Sequence, residues 1–112
     1  MKLTCFDAVD LAIAGAIESH GFHETCNYRM DVVQADCKRM DKIADENDCD
    51  SVSASVDTMS GALTVSLRCP VIEFDTSRNA FLDIIEHADL FRFSFEDDNV
   101  LLSFTYQGVL SK

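Results

Sequence analysis

The sequence predicts an α+β fold: a two-layer sandwich with helices packed on one face of a four-stranded, mainly antiparallel sheet, in the order α-α-β-β-α-β-β. Three observations carry that expectation. Apolar residues recur at spacings of three and four in three stretches, as they do in helices with one buried stripe. Four other stretches alternate bulky apolar and small polar residues with a period of two, as strands do when one face is buried and the other wet. Short polar turns join these strands in pairs, which makes them antiparallel hairpins. A sheet with one apolar face needs a second layer, and the three helices can supply it.

Thr4 is placed to cap a first helix over residues 5–20, with Asp7 three residues on completing a weaker form of the capping box. Phe6, Val9, Ile13, Ala16 and Ile17 follow at helical spacing, and Gly21 is a natural stop. Ala12, Ala14, Gly15 and Ala16 make this helix slim, so neighbours can approach it closely on more than one side. Residues 22–28 read either as a turn into the next helix or as a short extended piece. Met30, Val33, Cys37, Met40 and Ala44 then form a narrow apolar seam, with Asp31, Asp36, Lys38, Arg39, Asp41, Lys42 and Asp45 on the other faces. This second helix ends before Asn47–Asp50.

Val52, Ala54 and Val56 alternate with Ser51, Ser53 and Ser55; after the turn at 57–61, Leu63, Val65 and Leu67 alternate with Thr64, Ser66 and Arg68. Past Pro70, Val71 to Phe74 read as a continuation of that strand beyond a bulge or along an edge. Asp75, Thr76 or Ser77 caps a third helix, with Phe81, Ile84, Ile85 and Ala88 on one face and Arg78, Asp83, Glu86 and His87 on the other. The last hairpin pairs Phe91, Phe93 and Phe95, turned at Asp97–Asn99, with Val100, Leu102, Phe104 and Tyr106. The last six elements thus read as two α-β-β units alike in layout only. At 112 residues with no composition break, the chain is expected to form a single domain over 1–112.

Charge narrows the function. Twenty acidic against nine basic residues give a net charge of −11, which repels phosphate backbones and anionic lipid alike, so neither nucleic acid nor a membrane is an expected partner. The uncharged run Leu11–Ile17 is too short for a membrane span, and Asp7 and Asp10 sit where a secretory leader would turn apolar. The expected compartment is the cytoplasm. Five cysteines, at 5, 26, 37, 49 and 69, form no C-x-x-C pair; they suggest reduced core filler and neither a disulfide framework nor a zinc knuckle.

Few residues are spaced for chemistry. His20, His23 and Cys26 offer soft ligands at intervals of three, but Gly21 interrupts the helix and no fourth ligand beyond Glu24 is nearby. The acidic run from Asp45 fails the calcium-loop pattern at Cys49, Asp50 and Val56. No G-x-S-x-G or glycine-rich phosphate loop occurs. Glu73 and Asp75 near Cys69 would raise its thiol pKa, the wrong direction for a nucleophile. His87 beside Glu86 reads as a surface residue, and Glu73, Asp75 and Glu96 as a coincidence among many acids. The expectation is no enzyme, no catalytic residue and no cofactor. The eight phenylalanines could line a small-molecule pocket, but packed core is the better reading of them.

The strand period supplies the one positive indication. If the bulky residues face the helices, then Ser53, Ser55, Thr64, Ser66, Ser94, Ser103 and Thr105 share the opposite face, with Leu101, and with Tyr28 as a second candidate anchor. Such a face is flat and lightly charged, as interface centres are. The sequence therefore points to a small acidic, non-enzymatic protein-interaction or regulatory module. Its expected partner is a second copy, as a homodimer through the first helix or the sheet face, or another protein, basic ones included. The alternative is a metal- or thiol-dependent protein using His20, His23 and Cys26.

Overall fold

Thr4 sets the start of the first helix by local chemistry. Its hydroxyl accepts from the Asp7 N–H at 3.1 Å, and the Asp7 carboxylate accepts from the Thr4 N–H at 3.4 Å, a reciprocal capping box. The computed structural model describes residues 4–24, 27–70 and 74–112. Helix α1 (Cys5–His20) ends on Gly21 in the left-handed conformation, φ 71°. After it come β1 (His23–Glu24), α2 (Asn27–Glu46), β2 (Ser51–Val56), β3 (Leu63–Cys69), α3 (Phe74–His87), β4 (Leu90–Glu96), β5 (Asn99–Tyr106) and β6 (Leu110–Ser111). The ambiguous 22–28 stretch thus contains buried Phe22 and the short β1, which pairs antiparallel with β6.

The main sheet is antiparallel throughout, in the order β2-β3-β5-β4. Each hairpin places its second strand inside, so the two α-β-β units meet at β3 and β5. The core follows from this order. Leu63, Val65 and Leu67 of β3 and Leu102, Phe104 and Tyr106 of β5 are wholly buried. Val9 and Ile13 of α1, Val33, Met40 and Ile43 of α2, and Phe81 and Ile84 of α3 close over them. Phe91 stacks on Phe104 at 5.2 Å between ring centroids, and Phe81 packs within 6.5 Å of both. Phe81 and Phe104 are buried core, and partly buried Phe91 packs against them.

The structure departs from the sequence-based expectation in several places. Phe74 belongs to α3, not to an extension of β3, and Asp75, Thr76 and Ser77 lie within the helix and do not cap it from outside; residues 71–73 lie outside the described residues. Ile85 is exposed although it falls beside the apolar face of α3. Phe93 and Phe95 point to the helix side, opposite Leu102 and Val100, yet are 38% and 76% exposed. The apolar stripe of α2 is wider than a narrow seam: it includes Ile43 and the buried polar Asp36, and buried Asn47 follows directly after the helix. Leu11 and Ile17 on the slim α1 remain exposed.

The cysteine expectation also changes. Cys49 and Cys69 are joined as a disulfide, whereas Cys5 and Cys37 are free and buried. The Asp50 N–H donates to the Arg68 carbonyl at 3.0 Å, which carries the β2–β3 pairing past Ser51 and brings Cys49 alongside Cys69. A spacing test for C-x-x-C is blind to cysteines 20 positions apart that a hairpin sets side by side. No helix among the described residues is long and apolar enough to cross a membrane.

The β2–β3 turn is locked from both ends. The Asp57 carboxylate accepts from the N–H groups of Met59 and Ser60 at 2.8 and 3.0 Å, which holds its pKa below the usual value. Gly61 then takes φ 76°, and a Cβ there would lie 2.9 Å from the Phe22 ring and 3.0 Å from the Leu110 carbonyl oxygen. Gly61→Ala is expected to cost about 1–3 kcal/mol, from left-handed strain plus displacement of buried Phe22. Urea unfolding should show a lower midpoint with an unchanged slope.

Candidate interaction surface

Strand register decides which side chains share the open face of the sheet. Ser53, Ser66, Ser103 and Arg92 lie in one row across the four strands. Ser55, Thr64, Thr105 and Leu90 form the row on one side, and Ser51, Arg68, Leu101 and Ser94 the row on the other. All eight positions read from the sequence as an interaction surface, Ser53, Ser55, Thr64, Ser66, Ser94, Leu101, Ser103 and Thr105, therefore fall on this one grid. Tyr28 does not. It is exposed on α2, in the helix layer on the other side of the sheet.

The middle of the grid is ordered by its own hydroxyls. Thr64 Oγ1 and Thr105 Oγ1 are 3.0 Å apart, as are Ser66 Oγ and Ser103 Oγ. Cross-strand hydroxyl pairs of this kind stabilise a strand pair and fix rotamers, so the surface is preorganised. Its charge is the unusual feature. The three rows hold six Ser, two Thr, two Leu and two Arg and no acid, on a chain with 20 acidic residues and a net charge of −11. Within the four strands of the main sheet the one acidic residue is Glu96, at the end of β4. Ordinary solvated strands are polar, but on so acidic a chain three adjacent rows without one carboxylate, bordered by Glu96 at the end of β4, stand apart from the rest of the surface.

A second polar cluster lies beneath the sheet, and sequence reasoning missed it. Asp36, read as part of the solvated side of its helix, is fully buried. Its Oδ2 accepts from Tyr106 OH at 2.8 Å, and its Oδ1 accepts from Arg39 Nη1 at 2.7 Å and lies 3.1 Å from His87 Nδ1. Arg39 reaches on toward Asp83, with Nε 3.6 Å from Oδ2. His87 is thus no free surface residue; it closes α3 against α2. A carboxylate only accepts, so the Nδ1 that faces it carries a proton. Burial, then the hydrogen bond to Asp36 and its charge, raise the Tyr106 pKa far above that of a free phenol. An aspartate behind an imidazole can orient a proton-transfer group, but among the described residues no hydroxyl or thiol bonds to the His87 ring. What the cluster does on this geometry is tie α2, α3 and β5 together. The signal in the sequence was slight: Val33, Asp36, Met40, Ile43 and Asn47 share helical spacing, so an acid stood in an apolar line.

The thiols are insulated. Burial, then Asp41 and Asp36, push Cys37 up to about 12, and burial followed by Asp41 raises Cys5 as well. Asp41 is occupied in turn, its Oδ1 accepting from the Cys5 N–H at 2.9 Å. His20 ends α1 and His23 stands on β1, both exposed, while Cys26 lies outside the described residues. Among the described residues no three His, Cys, Asp or Glu side chains are grouped to hold a metal ion. Comparison with protein-family models, with curated proteins and with solved structures finds no match to this chain.

Proposed function

We propose that the protein is a non-enzymatic interaction module that docks another protein on the open face of its sheet. The observation that supports this most directly is the acid-free hydroxyl grid on a strongly acidic chain. Interface centres are depleted of charge and flat hydroxyl surfaces desolvate at modest cost, whereas carboxylates do not. Arg68 and Arg92 give the grid a weak positive sign, so the docking partner presents a neutral or mildly acidic patch there. A basic partner would instead meet the helix layer, guided by the overall charge. The cytoplasm is the compartment assigned on this reading. Alkylation and mass analysis of protein taken directly from cells tests that assignment: five modified cysteines fit a reducing compartment, and three would mean that the Cys49–Cys69 bond persists.

The docking reading is tested with Ser53→Glu, at an exposed site, and with Ser66→Glu, at the centre of the grid. Polypeptides captured by the immobilised wild-type chain and identified by mass spectrometry should be lost from both variants, yet kept by Asp31→Ala on the exposed side of α2. Identical capture by all four proteins would sink the assignment. Circular dichroism establishes that both Glu variants are folded.

A further inference from the structure

Strand β4 is an edge of the sheet: among the described residues no strand pairs with its outer side. Edge strands are usually blunted by charge, by a bulge or by a covering element, since an open ladder pairs with whatever fits it. This edge carries Arg92-Phe93-Ser94-Phe95-Glu96, a sequence symmetric about Ser94 in its aromatics and of opposite charge at its two ends. We propose that two copies of the chain pair antiparallel along β4, about a two-fold axis at Ser94, and join their sheets into one continuous sheet.

The register follows from the residues. Antiparallel pairing about Ser94 sets Arg92 opposite the second copy's Glu96, and Phe93 opposite its Phe95. Each pair occurs twice, with one member from each copy, as an isologous contact requires. The charged pairs fall on the hydroxyl face and the aromatic pairs on the helix side. An axis at Phe93 would leave Arg92 facing Ser94 and Glu96 facing Leu90. An axis at Arg92 would set like charges together, which is unfavourable for residues directly opposite. Only the axis at Ser94 matches charge and aromatics at once.

The backbone agrees. Glu96 and Asn99 flank the two-residue turn Asp97–Asp98 and close the hairpin. Alternation along an antiparallel pair then directs the hydrogen-bonding groups of Glu96, Ser94 and Arg92 at β5, and those of Phe93 and Phe95 outward, where pairing about Ser94 needs them. Four of the exposed apolar side chains, on β4 and α3, lie toward this edge. Phe93 and Phe95 already pack edge to face at 5.3 Å. On α3, Asp83 and His87 turn toward α2, so Leu82 and Ile85, 54% and 42% exposed, lie on the flank turned away from α2. Pairing at β4 would begin to cover that flank. It would also continue the row Ser51, Arg68, Leu101, Ser94 into the second copy, doubling the hydroxyl surface. The inference stands apart from the docking proposal, because it needs only the edge.

Sedimentation equilibrium across the micromolar range, near physiological ionic strength, tests it by charge reversal. Wild type is expected to show a monomer–dimer equilibrium. Arg92→Glu and Glu96→Arg each place like charges across the axis and should weaken dimerisation by about tenfold or more. The double variant Arg92→Glu/Glu96→Arg restores opposite pairs and should regain the dimer. Phe95→Lys, at an exposed site, should be a folded monomer. A wild type that stays monomeric, a dimer indifferent to both single reversals, or a double variant that fails to recover would each overturn the proposal. None of these outcomes bears on docking at Ser53 and Ser66, which is read by capture and not by mass.

Discussion

Replacing Asp36 by Ala is expected to cost about 3 kcal/mol, a large part of the stability of a domain this size. The truncation leaves the Tyr106 hydroxyl buried with no acceptor, frees Arg39 and His87 from the carboxylate, and opens space between α2 and β5. Arg39 and His87 can recover hydration because their side chains are 34% and 36% exposed; Tyr106 cannot, being wholly buried. The hydroxyl therefore dominates the loss. Tyr106→Phe alone removes a hydrogen bond to a charged group and should cost about 1.5–3 kcal/mol. The double variant Asp36→Ala/Tyr106→Phe should cost less than the sum of the two, since each single change orphans what the other removes. Chemical denaturation of the four proteins closes this cycle; additive losses would show that the pair is not coupled.

The same hydroxyl makes the protein alkali-sensitive. The folded chain holds the Tyr106 proton more tightly than the unfolded chain, in which a phenol ionises near pH 10. Its stabilising contribution is therefore complete below about pH 10 and declines as the pH rises beyond, by about 1.4 kcal/mol per pH unit. Tyr106→Phe removes this component, so the wild type should lose stability above pH 10 more steeply than the variant.

The second large effect is at Cys49–Cys69. The bond closes a loop between residues 20 positions apart, and loss of a cross-link of that span is expected to cost about 3 kcal/mol, mainly by freeing the unfolded chain. Reductant should lower the urea midpoint of the wild type and leave Cys49→Ala/Cys69→Ala unmoved. The two cysteines hold the end of β3 to the segment after α2, so hydrogen exchange should quicken first at residues 50–52 and 67–69 on reduction. A wild type indifferent to reductant would mean that packing alone keeps those segments together.

Much of the fold was legible because its signals are local. Thr4, Asp7 and Gly21 mark both ends of α1 within one turn of the chain. The alternation in β2, β3, β4 and β5 sets pleat parity residue by residue, and parity alone assembles the hydroxyl face. The errors came where coverage or a distant partner decides. Phe93 and Phe95 have the parity of core residues, yet both stay partly or largely exposed at the sheet edge. Tyr28 sits on the wrong layer for the surface it was read into.

The sequence by itself determined the order of the three helices and the four main strands, the capped first helix and the common side of Ser53, Ser66 and Ser103, because spacings of two, three and four residues set those directly. The short β1 and β6 carry no such signal. Only the tertiary structure decided that Asp36 is buried, that Cys49 meets Cys69 and that β4 is left open. Asp36 finds Tyr106 and His87 across 70 and 51 residues, and strand order, which no local period encodes, brings such positions together.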